Sequence, residues 1–333
     1  MILTVTPNPS IDRTAVLPGR LERGGVHRAE AVLFQPGGKG VNISRACVAA
    51  GVPTLAVFPA REDDPFVVEL TALGVDCCAV PPAGPLRVNL TLTEPDGTTT
   101  KVNTSGATVT DADLQRITVA TLAAIDERRP GWVVLAGSLP PGAPAGWYAG
   151  LTSRIRALGP RVAVDTSDAP LAATVAAADV RTGPTLLKPN AEELAAVTGA
   201  DAATLEGDPV ATAKAAHTLL ERGVEVVLAT LGASGAVLVD RTGAWHATPP
   251  PITVVSTVGA GDASLFGYLR ADLDGGTPEQ RLVSAVAYGA AAAGLAGTTP
   301  PTHHDVRTAE VRVTRLDVPP AGSSDGGSTT WKH

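Results

Sequence analysis

Two glycine-rich turns, each opening a helical segment, hold the residues best suited to chemistry on a phosphate. The first is Pro36-Gly37-Gly38-Lys39-Gly40-Val41-Asn42; the second is Thr257-Val258-Gly259-Ala260-Gly261-Asp262, followed by the helical Ala263–Ala271. Glycines ahead of a helix leave amide N–H groups unpaired at the positive end of the helix dipole, ready for a phosphate or a developing negative charge. Asp262 stands in the first turn of the second helix. It reads in two ways. It could cap the helix or complement its dipole, or it could accept a proton while neighbouring amides stabilise the charge it would otherwise repel. Neither turn is a standard nucleotide signature. Gly40 follows Lys39, so G-x-x-x-x-G-K-[ST] is missing, and no G-x-G-x-x-G follows the first strand.

A second pattern is positional. The apolar runs ending Val164-Asp165 and Leu187-Lys188 finish on a charge, and those ending at Ala136 and Ala229 lead into Gly137-Ser138 and Thr230-Leu231-Gly232. Parallel strands bind ligands outside their carboxyl ends, so four such ends on one edge would line one polar cleft. Lys188-Pro189-Asn190-Ala191-Glu192-Glu193 opens a helix with the spacing of a capping box, which by itself accounts for Asn190 and Glu193. The alternative is that Glu193 organises Mg²⁺ water beside a nucleotide. His303-His304-Asp305 lacks metal-site spacing. Arg28, Lys39 and Arg87 are isolated cations.

Positioning these residues falls to a regular alternation of elements. Strand-like runs at Ile2–Thr6, Leu55–Phe58, Trp132–Ala136, Val162–Asp165, Leu186–Lys188 and Val226–Leu231 alternate with helical segments. The segments are Val41–Ala50, Asp113–Arg128, Trp147–Leu158, Ala191–Thr198 and Pro209–Arg222. Strands that are apolar throughout and separated by helices predict a doubly wound, mostly parallel α/β sheet. Arg87–Thr93 departs from that rhythm: Val88, Leu90 and Leu92 alternate with polar residues, then Glu94-Pro95-Asp96-Gly97 turns into Thr98–Asn103. This predicts a hairpin with one wet face. With Thr14–Leu17 and Ala29–Phe34 it would form a small antiparallel sheet projecting as a lid. The expected organisation is one α/β unit over residues 1–318, lid strands from about 12–35 and 86–104, and a tail, 319–333, of linker composition.

Composition narrows the function classes. The chain has 333 residues, 44% of them hydrophobic and 18% charged, enough for a large core and unlike a disordered protein. Lys and Arg total 26 against 33 Asp and Glu, a formal charge of −7. That argues against nucleic acid or acidic lipid as a partner and requires a local cationic pocket for any anionic ligand. Cys47, Cys77 and Cys78 form no C-x-x-C pattern, and the N-terminus lacks the basic and apolar regions of a secretion signal. Ala285–Ala296 is too short to span a bilayer. A cytoplasmic protein is expected.

Taken together, these residues resemble the ribokinase-type sugar kinases, specifically the phosphofructokinase B branch. The resemblance runs from Thr4-Val5-Thr6-Pro7-Asn8-Pro9-Ser10-Ile11-Asp12 to about Thr302. It rests on both glycine turns, on Gly137-Ser138-Leu139-Pro140-Pro141-Gly142 and on Lys188-Pro189-Asn190-x-x-Glu193 between them. It implies ATP-dependent phosphorylation of a sugar phosphate with Mg²⁺ as cofactor. Asp262 would be the general base, with the amides of Gly259, Ala260 and Gly261 as the anion hole. Asp12, Gly38 and Asn42 align with residues gripping sugar hydroxyls; Arg87 and Ser138, with Arg28 and Lys39, lie near the substrates' phosphate ends. Lys188, Asn190, Glu193, Thr230, Gly232 and Gly235 map to the nucleotide side, Glu193 reaching the metal through water. The family's lid commonly mediates a homodimer. Asn8-Pro9-Ser10-Ile11-Asp12 and Lys39 resemble the 1-phosphofructokinase and tagatose-6-phosphate kinase branch. 6-Phosphofructokinases usually carry Lys where this chain has Val26 and Gly where it has Lys39. Fructose 1-phosphate is therefore the expected acceptor, with tagatose 6-phosphate and fructose 6-phosphate as alternatives. A non-catalytic sugar-phosphate sensor on the same scaffold is the rival from another class.

Overall fold

The computed structural model describes residues 1–318; the expected tail lies outside them. A ten-stranded sheet runs in the spatial order Arg312–Leu316, Gly243–Thr248, Ala236–Asp240, Val226–Thr230, Leu186–Leu187, Arg161–Asp165, Trp132–Ala136, Ile2–Val5, Thr54–Pro59, Cys77–Val80. From Val226–Thr230 to Cys77–Val80 every pairing is parallel. The remaining strands extend the sheet in antiparallel fashion.

The parallel strands are apolar at nearly every position because both of their faces are covered. Ile2–Val5 and Trp132–Ala136 are buried throughout. Alternate side chains feed two cores. Leu3, Val133, Leu135 and Val164 meet Ile117, Leu151, Leu194 and Leu219 on one face. Ile2, Trp132, Val134 and Leu186 meet Ile43, Phe266, Leu269 and Leu282 on the other. Each such side chain contributes about 1.5–3 kcal/mol on burial, so the carboxyl edge of the sheet is a rigid platform.

Local chemistry sets the helix ends. Trp147–Leu158 stops where Gly159 turns left-handed, and Ala191–Thr198 runs from the Asn190/Glu193 capping box to Gly199. The helix expected from Val41 begins two residues earlier, as Lys39–Ala49, which puts Lys39 in its first turn. A further long helix, Pro278–Ala293, packs beside Ala260–Leu273. Its Thr277/Gln280 capping box and Pro278 are legible start signals.

The second sheet has four strands in the order Ala31–Gly37, Ser10–Val16, Arg87–Thr93, Thr99–Asn103. Its outer pairings are antiparallel, and its central pairing, Ser10–Val16 with Arg87–Thr93, is parallel. Both of its segments leave the larger sheet from carboxyl ends, after Ile2–Val5 and after Cys77–Val80. The smaller sheet thus joins the edge where the polar strand ends gather.

Candidate active site

Along that edge lies a cavity of about 850 Å³. The small sheet and the helix Lys39–Ala49 bring Asp12, Arg87, Gly38, Lys39 and Asn42 to its wall. Lys188, Asn190, Glu193, Thr230, Gly232 and Gly235 line it from the strand ends and following loops, and Gly259, Ala260, Gly261 and Asp262 from the second glycine turn. Two expected residues stand apart. Ser138 is exposed and accepts a hydrogen bond from Asn8 Nδ2 at 3.4 Å, and Arg28 is exposed in the segment joining two small-sheet strands; neither lines the cavity.

The second glycine turn has the form of an anion cradle. Gly259 takes φ +80, a conformation that favours glycine, and leaves the helix Ala260–Leu273 without a side-chain cap. Among the described residues, the amides of Gly261 and Asp262 find no main-chain acceptor. The other helix facing the cavity begins the same way, with Gly38 at φ +115 and no side-chain cap. The two helix starts offer unpaired donors and aligned dipoles to one space.

Asp262 is 7% exposed, and its Oδ2 accepts a hydrogen bond from Asn42 Nδ2 at 2.8 Å. Burial pushes its carboxyl up to about 6, and repulsion from Asp165 adds to the shift; Lys39, Asn42 and Lys188 oppose it. A carboxylate poised there is ionised at neutral pH yet able to take a proton.

Asp165 is a group that sequence reasoning noticed only as a strand end. Its fully buried carboxylate meets Lys39 Nζ at 2.6 Å and Lys188 Nζ at 3.2 Å. Burial alone would raise its pKa, but the two ammonium groups hold it below the ordinary value. Conversely, burial alone would lower Lys39, and the fields of Asp165 and Asp262 instead hold it firmly protonated. Two lysines and two aspartates thus form a compact, nearly neutral cluster to which a bound phosphate would add negative charge.

Asp12 is held by two donors, Ser10 Oγ at 2.8 Å and Asn89 Nδ2 at 2.9 Å, both to Oδ1. Burial raises its pKa against those bonds and the nearby Arg87 and Arg45. Arg87 is anchored by a bond from Nε to Asn8 O at 3.1 Å. A clamped carboxylate beside a guanidinium suits a ligand carrying both hydroxyls and a phosphate. Glu193 forms the capping box with Asn190, its Oε2 accepting the Asn190 amide at 2.9 Å, while also lining the cavity. Asp305 closes a turn on Thr302, and among the described residues no three acidic, His or Cys side chains cluster to hold a metal.

Residues 6–305 match the family described as pfkB family carbohydrate kinase. The chain belongs to that family. A 1-phosphofructokinase from Xanthomonas campestris pv. campestris is 39% identical over 279 residues, covering 83% of this chain and 85% of that protein. A 1-phosphofructokinase from Haloferax volcanii is 36% identical over 315 residues, covering 94% and 97%. Among solved structures, phosphofructokinase-2 from Escherichia coli in complex with substrates and products aligns with a TM-score of 0.81 at 30% identity, over 91% of this chain and 96% of that one.

The resemblance read from the two glycine turns and the motifs between them is therefore correct, and this pfkB carbohydrate kinase has the mostly parallel sheet and smaller sheet expected of it. What the motifs did not supply are the residues that hold the others in place: Asp165 between two lysines, and Ser10 and Asn89 on Asp12. The charge ending the strand Arg161–Asp165, two strands from Ile2–Val5, was the one available signal for Asp165. No helix among the described residues is long and apolar enough to cross a membrane.

Proposed function

We propose that this kinase transfers the γ-phosphoryl group of ATP to fructose 1-phosphate, forming fructose 1,6-bisphosphate in the cytoplasm. The observation carrying the reading is the buried carboxylate of Asp262 inside an uncapped helix start, in one cavity with Asp12, Lys39 and Arg87. Arg87, which has no carboxylate within ion-pair reach among the described residues, favours a phosphorylated sugar, because a neutral one would leave this half-buried cation unpaired. The relatives named 1-phosphofructokinase, at 36–39% identity, support the 1-phosphate over the 6-phosphate.

In this reading Asp12 accepts hydrogen bonds from sugar hydroxyls while Arg87 and Lys39 pair with phosphate oxygens. The acceptor's free primary hydroxyl oxygen attacks the γ-phosphorus, the bond to the ADP oxygen breaks, and the hydroxyl proton passes to Asp262. The transition state is loose, so positioning and electrostatic stabilisation supply most of the rate, and the amides of the Gly259 turn face the developing charge. Lys188, Asn190, Thr230, Gly232 and Gly235 would hold the nucleotide. Mg²⁺, when bound, neutralises phosphate charge. Glu193 fits an outer role toward it, since one carboxylate oxygen is committed to its cap and the other is available to a metal-bound water. The small sheet would close over the acceptor and exclude water. Arg28 and Ser138 would reach the phosphates only on closure.

We further assign the enzyme a homodimeric state through the small sheet. Cross-strand pairing puts Val32, Phe34, Ala15, Leu90, Leu92 and Val102 on one face, with Val32, Phe34 and Val102 exposed at 63%, 37% and 55%. This face is largely apolar, with exposed Arg13 lying between Phe34 and Leu90, and favours a second copy of the sheet.

A kinetic panel tests the acceptor. Comparison of kcat/KM for fructose 1-phosphate, fructose 6-phosphate, tagatose 6-phosphate and unphosphorylated ketoses should rank fructose 1-phosphate first. A higher value for either 6-phosphate would move the chain to the other branch. Binding without turnover of any acceptor would support the sensor.

A further inference from the structure

Arg45 lies on the helix Lys39–Ala49 and is only 8% exposed. Its Nη1 donates to Pro36 O at 3.3 Å and to Thr298 Oγ1 at 3.0 Å. Among the described residues, no carboxylate lies within ion-pair reach of it. A guanidinium buried without an ion pair lowers stability, and an apolar side chain would cover this helix face more favourably. The charge therefore needs a reason other than packing.

The two acceptors suggest one. Pro36 and Gly37 end the small-sheet strand Ala31–Gly37, and a Cβ built on Gly37 would stand 2.2 Å from Asp12 Oδ2. The main chain there lies directly against the carboxylate that would hold the sugar. Thr298 is on the other side. It lines the cavity, and its Cα and Cγ2 would lie 3.6 Å from a Cβ on Gly259, the residue opening the anion cradle. Gln35, next to Pro36, has Oε1 at 3.5 Å from the Thr298 hydroxyl. A single side chain thus spans a run of contacts from Asp12 to Gly259. Close-packed contacts transmit a shift rather than absorb it.

We propose that Arg45 is a positioning residue that couples the seating of the acceptor on the small sheet to the set of the Gly259 turn. The inference rests on the kinase reading. Its consequence is coupling: without the bracket, the anion cradle would no longer depend on an acceptor being in place.

The test compares wild type with Arg45→Met, Arg45→Lys, Thr298→Val and the double variant Arg45→Met/Thr298→Val. Each is assayed for sugar phosphorylation with the best acceptor of the panel and for ATP hydrolysis without acceptor. The ratio of hydrolysis to phosphorylation should rise about tenfold in Arg45→Met and Thr298→Val, within the usual range for coupled neighbours. KM for the sugar phosphate should rise while KM for ATP stays within about twofold. Arg45→Lys should recover part of the loss, and the double variant should match Arg45→Met. A merely structural role would lower both rates together, because the fraction folded cancels from the ratio. An unchanged ratio, or additive effects in the double variant, overturns the inference. Thr298→Val removes one hydroxyl at nearly constant shape and carries the test if Arg45→Met does not fold. Wild type that phosphorylates no sugar phosphate overturns the kinase reading and this inference with it; an active wild type with unchanged ratios overturns this inference alone.

Discussion

Lys39 and Asp165 meet at 2.6 Å across 126 residues of sequence, joining the first turn of a helix to the end of a core strand. The lysine side chain keeps 34% of its surface exposed while the aspartate has none. The ammonium is thereby aimed at the cavity by a group that cannot itself leave. Asp165 also repels Asp262 and helps raise its pKa. One buried carboxylate thus orients a cation and raises the proton affinity of a second carboxylate.

In the proposed mechanism that dual role should appear in the pH dependence of turnover. Asp262 must be ionised to accept a proton, so kcat should fall as pH drops through about 6. Replacing Asp165 by Asn removes a repulsion and leaves both lysines, so the acid limb should move to lower pH while kcat at pH 8 decreases. An acid limb that stays in place or moves up in Asp165→Asn, read from kcat against pH, contradicts the coupling.

Asp262 should weaken the fold it serves. Its carboxyl is raised from 3.8 to about 6 on folding, so the native state binds the proton more tightly than the unfolded chain between those values. Stability from this group is greatest at low pH and is lost as pH rises through about 6. Asp262→Asn should therefore melt at a higher temperature than wild type at pH 8, with the difference vanishing below pH 4. Thermal unfolding at the two pH values checks both halves of the statement.

Charge reversal at Arg87 separates the acceptor side from the nucleotide side. Arg87→Glu should raise KM for the sugar phosphate by about tenfold or more, the usual cost of truncating or reversing a charge-assisted contact, with little change in KM for ATP. Equal increases for both substrates would remove Arg87 from the acceptor's phosphate.

Much of this was legible in the chain. Trp132–Ala136, Trp147–Leu158 and Ala191–Thr198 occur as read, because a strand covered on both faces is apolar throughout and each helix ends at a left-handed glycine. The uncapped helix start at Gly259 could be read because glycines ahead of a helix are a local signature. The antiparallel extension was not read. Ala236–Val239 is buried on both faces and shows no alternation, and Arg312–Leu316 finds its partner only through the folded sheet. Asp165 and Arg45 escaped for a related reason: an orienting role is defined by contacts far apart in sequence, such as Arg45 with Thr298.

The exposed apolar face of the small sheet predicts the assembly. Wild type should sediment as a dimer at micromolar concentration, and Val32→Asp or Phe34→Asp should shift it to monomer. Monomeric wild type would leave that face for another partner.

The central claim is that Asp262 takes the acceptor's proton beside the amides of the Gly259 turn. Measuring kcat together with the nucleotide dissociation constant for Asp262→Asn tests it most directly. The account predicts a fall in kcat of about 10²–10⁴-fold, the usual contribution of a positioned general base, with nucleotide affinity nearly unchanged. Turnover close to wild type would contradict it.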